Sequence, residues 1–152
     1  MKTEKTYYEE ALRYIDNAEE QLKKSGKDGK YYTDLKYVKS AGGIVYAGIE
    51  KAAKWFIELK GIKMPKNADA NEITKALNKI NKKVLNLYND LYSYFHIAVY
   101  YNGNNDANKI KESMTTARTF IAYLKPYNKI AIYKGGGKIK NDIKKKSNVK
   151  KK

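Results

Sequence analysis

Apolar and small residues return along most of the chain at alternating steps of three and four, the period of helices that each bury one face. In the first segment Tyr8, Ala11, Leu12, Ile15, Ala18 and Leu22 share a face of a helix that the pattern carries to about Lys24. Thr6-Tyr7-Tyr8-Glu9 has capping-box spacing at its start, where a threonine oxygen and a glutamate take exposed amide donors. Ser25-Gly26-Lys27-Asp28-Gly29-Lys30 is a polar loop with turn chemistry. A second helix is predicted from about Tyr31 to Lys60, with Gly61 as its left-handed cap. Its seam runs through positions 35, 38, 42, 45, 49, 52, 56 and 59 without a slip.

A connection around Pro65 leads to Asp69-Ala70-Asn71-Glu72, a second capping signal. The third helix is predicted to run on to about Tyr101, with its seam at 73, 77, 80, 84, 87, 91, 94, 98 and 101. Asn102-Gly103-Asn104-Asn105-Asp106 reads as a turn and a cap. A fourth helix carries Ile110, Met114, Ala117, Ile121 and Leu124 and ends near Pro126. Short loops between helices imply antiparallel neighbours. The expected fold is therefore all-α, an up-down four-helix bundle. Its two central helices, of roughly 30 residues each, would span about 45 Å.

The pattern divides the chain into a bundle over residues 1–127 and a Gly/Lys-rich tail over 128–152. Ile130-Ala131-Ile132-Tyr133 reads as a short strand or an apolar anchor, and Gly135-Gly136-Gly137 breaks any helix. Residues 138–152 are expected to stay mostly disordered until they meet a partner.

Charge sharpens that division. The formal charge is +16, from 32 basic and 16 acidic residues. Asn128 to the end holds ten lysines against Asp142 alone, a net +9, which leaves +7 for the rest. Arg13 and Arg118 are the two arginines, so the charge is carried by hydrated point cations suited to diffuse polyanion attraction. Lys138, Lys140, Lys144, Lys145, Lys146, Lys150, Lys151 and Lys152 would bind nucleic acid without base specificity, or else serve as a solubilising tail. Cysteine is absent, which excludes disulfides and thiol chemistry. No apolar run is long enough to span a bilayer, and no signal core opens the chain, so a cytoplasmic location is expected.

Candidate chemistry is sparse. His96 is the only histidine and cannot by itself supply a metal site, so no metal or cofactor is expected. As a general acid or base it needs a partner, and Tyr92, Tyr100 and Asp90 are the nearby candidates. Its place beside the seam favours an ordinary polar flank. Gly135-Gly136-Gly137-Lys138 lacks the spacing and the Ser/Thr of a phosphate loop and is read as a hinge. The 15 tyrosines, among many lysines, offer stacking surfaces for unpaired bases. The plainer reading, that they rim a helical core, is favoured; Tyr31, Tyr32, Tyr88, Tyr92 and Tyr100 are the ones whose exposure decides. Gly42, Gly43, Ala47 and Gly48 mark a close helix crossing or a dimer face, since mid-helix glycines cost about 1 kcal/mol each relative to alanine.

Two stretches carry a family resemblance. One is Tyr7-Tyr8-Glu9-Glu10-Ala11-Leu12-Arg13-Tyr14-Ile15-Asp16-Asn17-Ala18-Glu19. The other is Lys39-Ser40-Ala41-Gly42-Gly43-Ile44-Val45-Tyr46-Ala47-Gly48-Ile49-Glu50-Lys51-Ala52-Ala53-Lys54-Trp55. The pair resembles the opening helices of HEPN-type bundles, including the substrate-binding partners of minimal nucleotidyltransferases. It is similar too to small helical Bacteroidales proteins gathered as domains of unknown function. Leu87 to Leu124 fits the HEPN order of third and fourth helices.

Many HEPN proteins are ribonucleases with a closely spaced arginine–histidine pair near the end of the third helix. Here Tyr94-Phe95-His96-Ile97-Ala98-Val99-Tyr100-Tyr101-Asn102 holds no arginine, and no histidine follows His96. The resemblance thus implies a non-enzymatic binding or adaptor member that takes a protein, a nucleotide or RNA. It also implies a homodimer or a protein partner such as a nucleotidyltransferase. The alternative expectation is an RNA-binding protein or an unconventional ribonuclease that uses His96.

Overall fold

The computed structural model describes the backbone of residues 4–132 and the side chains of residues 7–124. The chain is mostly helical. Helix α1 (Glu4–Lys23) leads into a two-stranded hairpin, β1 (Lys27–Asp28) and β2 (Tyr31–Tyr32). Lys27 pairs with Tyr32 and Asp28 with Tyr31, and Gly29 turns the chain at φ +63°. Buried Ser25 braces this turn: its hydroxyl donates to the Gly26 carbonyl at 2.9 Å and accepts the Asp34 amide at 3.0 Å.

Helix α2 (Leu35–Leu59) starts at Asp34, whose carboxylate accepts the Lys36 amide. It ends in a left-handed turn at Gly61 (φ +88°). There the Gly61 and Ile62 amides donate back to the Glu58 and Ile57 carbonyls, which satisfies the helix's last acceptors. Helix α3 (Ala70–Ile80) opens on the expected capping box, with Asp69 and Glu72 bonding each other's amides at 2.9 and 3.0 Å. Helix α4 (Lys82–Leu91) continues without a gap into a π-helix (Tyr92–Tyr101), and α5 (Ala107–Ile132) closes the described chain.

Helix α2 is the centre of the packing, touching α1, α3, α4, the π-helix and α5. Glycines set its two closest approaches. A Cβ on Gly48 would lie 2.7 Å from Tyr14 Cβ on α1. One on Gly42 would lie 2.7 Å from Val99 Cγ1 and 3.0 Å from the Tyr100 backbone nitrogen. Between these contacts lies one core that includes Ile15, Ile49, Phe56, Leu77, Phe95 and Phe120. Each such side chain contributes about 1.5–3 kcal/mol on burial.

Four features differ from expectation. Tyr31 and Tyr32 lie in the hairpin, because the Asp34 cap starts α2 at Leu35. The expected single third helix is interrupted at Asn81, whose backbone is extended (φ −161°, ψ 114°) and whose side chain accepts the Val84 amide at 3.0 Å. Beyond Leu91 the buried positions are Phe95 and Val99, in place of the expected 94, 98 and 101. A π-helix adds a residue to each hydrogen-bonded turn, so the inward face slips by one. Helix α5 runs through Pro126 to Ile132, past the expected end near Pro126, so Ile130-Ala131-Ile132 is helical and not a strand.

Candidate functional site

The π-helix packs against the first half of α2, where Gly42 and Gly43 meet Val99 and Tyr100. His96 is half-buried there, and tyrosine rings from two elements surround it. The ring of Tyr46, from α2, is centred 4.7 Å from the imidazole, with Tyr92 at 5.1 Å, Tyr101 at 5.0 Å and Tyr100 stacked at 5.7 Å. Tyr88, Tyr92, His96 and Tyr100 follow one another at steps of four, so helical winding alone lines up one side of this column. Tyr46 closes the other side and joins hydroxyls with Tyr88 at 2.6 Å. Burial pushes the Tyr46 phenol up to about 12 and raises that of Tyr88 as well. Burial also raises Tyr94, with the Asp106 carboxylate adding to it.

Among the described residues His96 makes no hydrogen bond to a carboxylate or any other group. It is a stacked ring with aromatic neighbours, and no acid is in place to orient its tautomer.

The 102–106 loop ties the π-helix, the hairpin and the start of α2 together. The Gly103 amide donates to the Val99 carbonyl at 2.9 Å, and Gly103 takes φ +71°. The Tyr32 amide donates to the Asn105 carbonyl, and the Asn105 side-chain amide returns a bond to the Tyr32 carbonyl at 2.8 Å. Tyr31 bridges Asp106 in antiparallel fashion. A Cβ on Gly103 would sit 3.2 Å from Lys39 Cε and 3.6 Å from Leu35 Cδ1, so the start of α2 touches the same loop.

The large apolar side chains exposed among the described residues, Tyr31, Leu35, Ile97, Tyr100 and Tyr101, all belong to these joined segments, and Tyr101 is 60% exposed. Lysines stand among them: Lys30 lies 5.4 Å over the Tyr31 ring, Lys36 4.7 Å over Tyr37 and Lys109 5.7 Å over Tyr94. Exposed aromatic rings and lysine ammonium groups thus share these segments. Together they can stack flat rings and neutralise anions.

Of the tyrosines singled out from sequence, Tyr31 and Tyr100 are exposed, Tyr32 and Tyr92 half-buried, and Tyr88 fully buried. Gly42 and Gly43 face the π-helix and Gly48 faces α1, while Ala47 is half-buried beside them. Lys138, Lys140, Lys144, Lys145, Lys146, Lys150, Lys151 and Lys152 lie outside the described residues, as do Gly135, Gly136 and Gly137. Among the described residues no group of three or more His, Asp or Glu side chains is placed to hold a metal ion. Nor is any helix there long and apolar enough to cross a membrane. The Tyr46–Tyr88 bond was not legible in advance, since Tyr46 sits beside its helix's seam and nothing local points it at Tyr88.

No curated protein matches this chain. A protein of unknown function from Dyadobacter fermentans is similar in structure, with a TM-score of 0.73 and 30% identity over 82% of this chain and 98% of that one. Residues 6–126, which take in every described helix in whole or in part, match the family described as Domain of unknown function (DUF5618). The chain belongs to that family.

Proposed function

We propose that this chain is a non-enzymatic helical binding module, a variant of the HEPN-like four-helix plan, that receives single-stranded RNA on its tyrosine- and lysine-bearing segments. The observation that carries the reading is the exposure of Tyr31, Tyr100 and Tyr101 on the hairpin and the π-helix, segments that the 102–106 loop ties together, with Lys30 over the Tyr31 ring. Exposed rings stack on bases whatever their sequence, and ammonium groups neutralise the phosphates between them. Lysine as the dominant cation fits a binder that attracts a strand without reading it. The tail lysines from Lys138 onward would add counterion release, and such a ligand suits a cytoplasmic setting.

Anisotropy of a short fluorescent oligouridylate tests the proposal. Replacing Tyr100 and Tyr101 together by alanine should weaken binding about tenfold or more, given roughly 1–3 kcal/mol per stacked base. Removing residues 138–152 should lower the salt slope and leave the tyrosine effect in place. Equal affinity of the intact chain and the Tyr100→Ala, Tyr101→Ala chain would overturn it. Comparing RNA cleavage by the intact chain and a His96→Ala variant separates binding from catalysis, and equal background rates are expected.

A second reading rests on Leu35 and Ile97, exposed aliphatic side chains that RNA stacking does not use. They suit a protein partner, either a second copy of the chain or a nucleotidyltransferase, docking on the same segments. A concentration-dependent mass by light scattering would support the homodimer form of this reading.

A further inference from the structure

A groove of about 530 Å³ opens between the last turn of α1, the hairpin and the first turns of α5. This is within the size range of small-ligand sites. Its lining is divided by chemistry. Leu22 and Met114 give an apolar floor, and the half-buried ring of Tyr32 lines the hairpin side. Tyr32 is held in place from behind, since its amide and carbonyl both bond Asn105.

The cations of the groove fall into two groups. Arg118 is held by Asp16 at 2.8 Å and Glu19 at 3.0 Å, which ties α5 to α1, and Lys23 is paired with Glu20 at 3.1 Å. Lys27 and Lys111 line the same groove and make no ion pair among the described residues. The Lys27 ammonium stands over the Tyr32 ring, 5.9 Å from its centre, so a cation and an aromatic ring share one wall of the groove. A ligand that satisfies both carries a flat ring and an anionic group.

We infer that this groove binds a small aromatic phosphate, its ring against Tyr32 and the Leu22–Met114 floor and its phosphate at Lys27 and Lys111. The site shares no stacking tyrosine with the proposed RNA surface and goes beyond that reading. Nucleotides and phosphorylated phenols both have this chemistry, so the test uses one of each.

Calorimetric titration of the full chain with adenosine 5′-monophosphate, phenyl phosphate and inorganic phosphate decides it. At least one aromatic phosphate should bind saturably and about tenfold or more tighter than inorganic phosphate, because stacking and floor contacts add to the charge contact. Binding of the adenosine compound alone would assign the groove to nucleotides, and binding of phenyl phosphate alone to phosphorylated phenols. Lys111→Glu should weaken binding about tenfold, and Lys27→Glu should do the same as an independent check on folding artefacts. Tyr32→Leu should abolish the preference for an aromatic phosphate over inorganic phosphate. Absence of saturable binding by either aromatic compound would overturn the inference, as would unchanged affinity in both charge-reversed variants. Loss of binding on removing residues 138–152 would overturn it too, by assigning the affinity to the tail.

Discussion

The phenolic oxygens of Tyr46 and Tyr88 lie 2.6 Å apart in the core, where Tyr88 has no exposed surface and Tyr46 only 8%. Each hydroxyl is the other's partner, so removing one leaves a buried polar group unsatisfied. Tyr88→Phe and Tyr46→Phe should each destabilise the fold by about 1–3 kcal/mol. The double variant should cost clearly less than the sum of the two. Urea denaturation of all four chains gives the coupling, and strict additivity would show that the bond contributes nothing.

The same pair predicts a base-induced loss of stability. Burial holds Tyr46 at about 12 and raises Tyr88, whereas in the unfolded chain both ionise near the ordinary 10. Between those values the unfolded chain has released protons that the folded one retains, so stability must fall as pH rises. It should be level below about pH 9 and then decline by at most about 1.4 kcal/mol per pH unit for each tyrosine. Denaturation midpoints from pH 8 to 12 check this, and the double phenylalanine variant should show a flatter decline.

Gly42 is predicted to resist enlargement. Alanine there gains about 1 kcal/mol of helix propensity. Against that, its methyl would sit 3.0 Å from the Tyr100 backbone nitrogen, which cannot swing aside as a side chain can. Overpacking should win, with a net loss of about 1–3 kcal/mol in thermal denaturation. Gly61→Ala offers a contrast, since no atom lies near its added methyl and the loss of about 1 kcal/mol there would come from backbone strain at φ +88°.

Asn81 should behave as a cap. Its side chain takes the Val84 amide at the start of α4, so Asn81→Ala should cost about 1 kcal/mol, and Asn81→Asp should retain most of the stability. An alanine variant as stable as the parent in thermal melts would mean that the α3–α4 break is set by packing alone.

Much of the helical content was legible because its causes are local. Val38, Gly42, Val45, Ile49, Ala52 and Phe56 repeat at steps of four and three and are all buried, as a continuous α-helix requires. Asp69 and Glu72 announced their capping box by spacing alone. The break at Asn81 was harder to see. A single asparagine inside an unbroken apolar rhythm has two outcomes, and its bond to the Val84 amide decides between them.

The candidate site shows the same division. Tyr92, His96 and Tyr100 share a strip at steps of four, which any helical winding from Tyr88 onward produces. That Tyr46 completes the ring around His96 depends on how closely α2 approaches, and Gly42 and Gly43 permit that approach against Val99 and Tyr100. The groove beside Tyr32 has a similar origin, since Lys27 and Lys111 come from distant segments that the hairpin and α5 bring together.

The sequence by itself determined most of the helical positions, the Asp69–Glu72 cap and the uneven charge, because propensity, capping and apolar period act between residues a few positions apart. Only the tertiary structure decided the π-helical turn, which way its tyrosines face and which lysines lack an acid. Those follow from packing between segments far apart in the chain, where one residue of slip moves a side chain from the core to the surface.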